Sequence, residues 1–152
     1  MGYGVIRVRV PEYQLMDYGV VYTKPDIPFP SRLCIIQRSV RDLTALYKPD
    51  EIAFEELFFA KNVKTALSVA AARGVAIASA AEYSENLFEY TPMQVKQALV
   101  GYGRADKNQV QQMVKIILRM SEIPKPDDAA DAVAVAVTHA SIDRFKDQFR
   151  MR

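Results

Sequence analysis

Asp128 and Asp131 stand three residues apart in the run Pro126-Asp127-Asp128-Ala129-Ala130-Asp131. On a helix opening at Pro126, that spacing puts both carboxylates on one face about one turn apart, while Asp127 projects elsewhere. Two close anions repel unless a cation joins them, and hard oxygen ligands suit Mg2+ or Mn2+. Acidic residues are equally ordinary stabilisers of a helix N-terminus, so the pair alone leaves both readings open. A further carboxylate source lies in Glu51 to Phe59, a short apolar run that reads as a buried strand carrying Glu55 and Glu56. Strand alternation sends these two to opposite faces, so one of them turns inward and needs a partner to ionise.

Other chemistries fall away. His139 is the only histidine and follows Asp128 by eleven residues, about three helical turns, too far to share a metal with the acidic pair. With one histidine and one cysteine, Cys34, the chain can build neither a structural zinc site nor an internal disulfide, and no nucleophile motif accompanies His139. Gly101-Tyr102-Gly103 follows a helical pattern rather than a strand and lacks a following Lys-Ser/Thr, so it is not a nucleotide cradle. The stretch from Met93 to Lys125 has six basic residues, Lys96, Arg104, Lys107, Lys115, Arg119 and Lys125, against Asp106 and Glu122. That local excess, with Tyr102 in its turn, suits phosphate contacts beside a stacking surface, and it equally describes a solvated helix face. Phe58 and Phe59 pose the same choice between core packing and contact with an unstacked base.

The elements that must position these residues follow from length and patterning. A chain of 152 residues, half hydrophobic and a quarter charged, suits one domain with its own core, and a net charge of +2 is too small for bulk attraction to a polyanion. No secretory segment or long apolar run stands out, so the cytoplasm is the expected compartment. Val and Ile alternate with Arg from Tyr3 to Val10, and Tyr13 to Tyr22 follows after a short break, which predicts an antiparallel hairpin. A helix is expected from an N-cap at Ser31 to Tyr47, and another from Asn62 to about Tyr83 with Gly74 permitting close packing. A strand over Asn86 to Tyr90 precedes a helix capped by Thr91-Pro92, and Asp106 caps the next. The last helix is predicted from Pro126 to about Phe149. This order of strands and helices predicts an α/β fold, a mixed sheet flanked by helices on both faces, over residues 1–152 as a single domain with a basic tail from about 141 to 152.

Several segments in one order resemble the RuvC family of Holliday-junction resolvases. They are Gly-Tyr-Gly-Val-Ile (2–6), Lys-Pro-Asp-Glu-Ile-Ala-Phe-Glu-Glu-Leu-Phe-Phe (48–59), Ala-Arg-Gly-Val-Ala (72–76), Glu-Tyr-Thr-Pro-Met-Gln-Val-Lys-Gln-Ala (89–98), Gly-Tyr-Gly-Arg-Ala-Asp-Lys (101–107), Gln-Val-Gln-Gln-Met-Val (109–114) and Pro-Asp-Asp-Ala-Ala-Asp-Ala (126–132). The resemblance implies an RNase H-like fold and a homodimer that cuts four-way DNA junctions by Mg2+-dependent phosphodiester hydrolysis, with a branch-migration helicase complex as partner. It implies Glu55, Asp128 and Asp131 as catalytic metal ligands, Phe58 as the aromatic that engages a junction base, and Lys96, Arg104 and Lys107 as DNA contacts, with Glu56 and Asp127 beside the motif. Members of that family carry a central first strand with Asp-Pro-Gly before the Gly-Tyr-Gly segment, and its aspartate is a fourth ligand. Here Met1-Gly2 opens directly into that segment and the first acidic residue is Glu12. A start assigned too far downstream is the expectation, and a junction-binding protein of impaired activity is the alternative.

Overall fold

The computed structural model describes residues 1–57, 63–142 and 146–152. Strands β1 (Gly2–Arg9) and β2 (Glu12–Val20) form the expected antiparallel hairpin, with Gly2 opposite Val20 and Arg9 opposite Glu12. Its register slips between Val5 and Ile6, leaving Met16 as the extra residue of a bulge. Beside the bulge, the Asp17 carboxylate accepts from the Tyr18 N–H at 2.8 Å and from the Tyr3 hydroxyl at 3.1 Å. Strand β3 (Ile52–Glu55) pairs with β4 (Leu87–Tyr90) in a second ladder. The Ile52 N–H donates to the Asn86 carbonyl and the Glu56 N–H to the Tyr90 carbonyl, and this common advance makes the pair parallel. The strands thus form two ladders of two where one mixed sheet was expected. β3 is also shorter than the run Glu51 to Phe59, and Phe58 and Phe59 lie outside the described residues.

The chain divides into two compact units, one of residues 1–20, 53–56 and 88–152, the other of residues 21–52 and 57–87. In the second unit, α1 (Phe29–Tyr47) packs against α2 (Val63–Ala81). Helix α1 opens two residues before Ser31, because Pro30 in the first turn needs no N–H partner and its fixed φ suits a helix. It ends at Lys48, which takes the left-handed conformation (φ 47°) and donates its N–H to the Thr44 carbonyl. Gly74 does not serve close packing, since a Cβ there would meet nothing within 4 Å.

In the first unit, buried Phe88, Tyr90, Val95, Val114, Val133 and Val137 bring together β4, α3 (Pro92–Val100), α4 (Lys107–Ile117) and α5 (Asp127–Ser141), with Ile6 and Leu15 of the hairpin against them. Two reciprocal caps fix helix starts: Thr91 with Gln94 on α3, and Asp106 with Gln109 on α4. Helix α5 ends at Ser141 rather than near Phe149, and a 3-10 turn, Lys146–Phe149, comes after it. The Phe149 ring lies 4.9 Å from that of Tyr90, and Arg150 bridges to Phe88 with its guanidinium 5.2 Å from the ring centre.

Candidate active site

Three element ends in the first unit meet at a polar surface: the last residue of β3, Glu55, the first residue of α4, Lys107, and the opening turns of α5. The Asp106 cap fixes where α4 begins and so places Lys107 at a helix end whose dipole disfavours a cation. Carboxylates of α5 balance it: Lys107 Nζ lies 3.0 Å from Asp131 Oδ2 and 3.2 Å from Asp127 Oδ2. The arrangement has helical spacing on both sides, because Lys107 and Gln111 are four residues apart on α4 as Asp127 and Asp131 are on α5. Gln111 Nε2 makes the second rung, a long 3.5 Å contact to Asp127 Oδ1. Burial alone would lower the Lys107 pKa, but the hydrogen bonds to Asp131 and Asp127 together with the charges of those two carboxylates outweigh it and hold the ammonium above its ordinary value.

Glu55 completes the group. Glu55 is exposed, as Glu56 is, so neither turns inward as expected, because β3 ends at Glu55; the protein packed beside Glu55 nonetheless raises its proton affinity above the ordinary carboxylate value. Repulsion from Asp131 adds to that rise, and Lys107 opposes it. Glu55 and Asp131 are therefore close enough for their charges to compete. Two oxygen-donor groups whose mutual repulsion Lys107 only partly offsets suit a hard divalent cation. Among the described residues, however, no three His, Cys, Asp or Glu side chains converge as a metal-holding group. Asp128 is exposed and does not join Glu55 and Asp131 in one, because Lys107 draws the Asp127–Asp131 face toward α4 and Asp128 lies about 100° round the helix from Asp127.

Two glycines let the hairpin press against α5. A Cβ on Gly2 would run into the Asp128 carbonyl, and one on Gly4 would lie 2.7 Å from Val133 Cγ2 and 2.9 Å from Val133 Cα. The opening turns of α5 are thereby seated on β1, which ties the height of Asp128 and Asp131 to backbone rather than to flexible side chains.

Lys96 is half-buried on α3, and Arg104 is exposed in the turn before α4. Neither has an ion-pair partner among the described residues. Gly101 caps α3 with φ 89°, and Tyr102 beside it is 44% exposed. Phe58 lies outside the described residues. His139 is remote from the carboxylates in role, as its spacing requires: its Nδ1 is 2.7 Å from the Tyr90 hydroxyl and its ring 4.4 Å from that of Phe88. Glu56 is exposed, and its N–H serves the β3–β4 ladder. Sequence reasoning misses Asp127 and Gln111. The four-residue step from Asp127 to Asp131 is the signal that finds the first, but nothing on α5 alone names the lysine it meets.

The family model described as crossover junction endodeoxyribonuclease RuvC matches residues 1–139. The chain belongs to the RuvC family. It is 50% identical over 152 residues to the crossover junction endodeoxyribonuclease RuvC of Alkaliphilus oremlandii (strain OhILAs), covering 100% of this chain and 93% of that relative. Its identity to the Finegoldia magna (strain ATCC 29328 / DSM 20472 / WAL 2508) RuvC is 50% over 146 residues, 96% of this chain and 89% of the relative. Among solved structures, Thermus thermophilus RuvC superposes with a TM-score of 0.85 at 38% identity, covering 92% of this chain and 86% of that one. The same protein in complex with Holliday junction substrate gives 0.87 at 38% identity over 91% and 85%. The RNase H-like, α/β fold of this family is the fold of the chain. No helix among the described residues is long and apolar enough to cross a membrane.

Proposed function

We propose that this chain is a structure-specific endonuclease that resolves four-way DNA junctions by metal-dependent phosphodiester hydrolysis, with Mg2+ as the working ion and Mn2+ as a substitute. Membership of the RuvC family supports the activity, and the T. thermophilus relative bound to a Holliday junction supports the substrate. The observation that carries the reading in this chain is the convergence of Glu55, Asp131 and Lys107. Glu55 and Asp131 would hold the ion, and the resemblance adds Asp128 from the same helix. A divalent ion held by these carboxylates would supply activation of a water and stabilisation of the charge developing on the leaving oxygen. Lys107 neutralises charge between the carboxylates and the phosphate that approaches them. Lys96 and Arg104, both without carboxylate partners among the described residues, are the further phosphate contacts, and Phe58 is assigned to a junction base by resemblance alone.

Symmetric cutting of a four-armed substrate needs two sites related by a two-fold axis, so a homodimer goes with this function. A branch-migration helicase complex as partner, a cytoplasmic location and one catalytic domain over residues 1–152 complete the proposal. The binding-only alternative gains no support over the nuclease from the relatives. The test is cleavage of a labelled synthetic four-way junction in Mg2+, compared with linear duplex, for the wild type and Glu55→Gln. Junction-selective cleavage lost in the variant with binding retained is the expected result. Selective binding with no cleavage by the wild-type chain would overturn the nuclease reading.

A further inference from the structure

The turn between α3 and α4 carries an aromatic side chain that the charged group at Glu55 does not use. Three carbonyls that would repel a phosphate are taken up there: Gln97 O accepts from the Gly101 N–H at 3.0 Å, Tyr102 O from the Ala105 N–H at 3.3 Å, and Gly101 O from Gln97 Nε2 at 2.7 Å. Tyr102 is 44% exposed, and Met93, in the first turn of α3, is 66% exposed. A Cβ on Gly103 would lie 2.7 Å from Met93 Cγ and 3.5 Å from its Sδ, so Met93 covers the residue next to Tyr102. Neither side chain belongs to the buried core of the unit or to the apolar residues packed against it. Cations border the pair. Lys96 follows Met93 by three residues on one face of α3, Arg104 follows Tyr102 by two, and neither has a carboxylate partner among the described residues. An exposed ring and thioether between unpaired cations complement a ligand that has both phosphates and an open base face, which is a nucleic acid whose stacking is interrupted.

We propose, resting on the junction-nuclease reading, that Tyr102 is a specificity-determining contact whose ring stacks on a base exposed where the arms of the junction meet. Continuous duplex closes both faces of each base within its stack and offers the ring nothing to cover, whereas a branch point interrupts that stack. Lys107 follows Tyr102 by five residues, and a fully extended chain of that length spans about 17 Å. The Tyr102 backbone therefore lies within about five base steps of 3.4 Å from the phosphate assigned to Lys107. Lys96 and Arg104 hold phosphates on either substrate, and Tyr102 adds affinity only where a base face is open. Met93 extends the apolar surface beside it.

The test is equilibrium binding to a labelled four-way junction and to linear duplex of the same sequence, over a series of salt concentrations, with a chelator present so that neither a cation nor cleavage enters. The wild type, Tyr102→Ala and Tyr102→Phe are compared, with Arg104→Ala as the electrostatic reference. Tyr102→Ala is expected to bind the junction about 5–100-fold more weakly at every salt concentration and duplex within about twofold of the wild type, while Tyr102→Phe keeps junction binding within about threefold. Neither changes the slope of log affinity against log salt, whereas Arg104→Ala lowers it by about one on both substrates. Both Tyr102 variants should melt within about 2 °C of the wild type, and a larger fall would show that the ring serves the fold and overturn the proposal. Equal losses of Tyr102→Ala on junction and duplex would also overturn it, as would no loss on the junction, or a loss in Tyr102→Phe as large as in Tyr102→Ala. The nuclease reading fails separately, when the wild type selects the junction and leaves it uncut in Mg2+. A wild type that binds junction and duplex alike overturns both.

Discussion

The two ends of α5 treat polar groups in opposite ways. At its N-terminal end Asp127 and Asp131 are 73% and 42% exposed and share one lysine, while the surrounding protein and then the Asp131 charge raise the proton affinity of Glu55 against the pull of Lys107. At its C-terminal end His139 meets the buried Tyr90 hydroxyl at 2.7 Å beside the Phe88 ring. Between them Ala130, Val133, Ala134 and Val137 run through the core of the unit. One helix thus joins a region where charges are left in conflict to one where a polar contact is enclosed by aromatic packing. Unresolved charge near water is chemically available, whereas an enclosed hydrogen bond stabilises and is unavailable. Substitution should therefore act on activity at one end and on stability at the other.

The largest effect is expected at the charged end. Glu55→Gln keeps the shape of the side chain and removes the carboxylate proposed as a metal ligand, so on that proposal several kcal/mol of transition-state stabilisation disappears and junction cleavage falls by about 10³-fold. Its melting temperature should not fall. Measured together by single-turnover cleavage and thermal unfolding, a lost activity accompanied by a lost fold would break the contrast. The enclosed end should give the reverse. Tyr90→Phe leaves the His139 Nδ1 without its hydroxyl partner and is expected to destabilise by about 1–2 kcal/mol, or about 3–6 °C in Tm, with cleavage within about twofold well below that temperature.

Gly4 sharpens the comparison because it sits against the middle of α5. An added Cβ would meet Val133 Cγ2, Cα and N at 2.7 to 3.0 Å, and two of those atoms are backbone that cannot rotate away. Gly4→Ala is expected to destabilise by about 1–3 kcal/mol and, by shifting the helix that carries Asp131, to lower cleavage as well. Denaturant unfolding and junction cleavage on the same preparation check it. A stability loss without an activity loss would show that α5 tolerates displacement relative to Glu55.

Much of this is legible along the chain, and the exceptions share a cause. The starts of α3 and α4 can be read from Thr91-Pro92 with Gln94 and from Asp106 with Gln109, because a cap is a local reaction of a side chain with backbone three residues away. Glu55, Asp131 and Lys107 stand out by residue type and motif, and the fold joins them. The length of β3 is not legible, because a ladder is as long as its shorter partner and β4 has only four residues. The end of α5 at Ser141 carries no glycine or proline mark, and the 3-10 turn beyond it is set by Phe149 reaching Tyr90. Asp127 escapes a sequence reading because a single helical wheel cannot show a lysine arriving from another helix. Local chemistry reads from sequence, and partnership between elements does not.

The smallest expected effect bears most directly on whether the charged end is held in conflict. Protein packed around Glu55, and then the Asp131 charge, raise its pKa in the folded chain above the ordinary value of 4.5. The folded state therefore holds that proton more tightly than the unfolded state. As pH rises through the ordinary value, the unfolded chain releases its proton first, and stability falls until the folded glutamate ionises too. Glu55→Gln cannot ionise and escapes this loss. With a chelator present, the variant should match the wild type in Tm at pH below about 4 and exceed it at pH 7 by a small margin, about 1–2 °C for a side chain still in contact with water. Thermal unfolding at a series of pH values makes the comparison. A variant less stable than the wild type at pH 7 would mean that Lys107 attracts Glu55 more than burial and Asp131 oppose it, and the carboxylates would then be satisfied rather than in conflict.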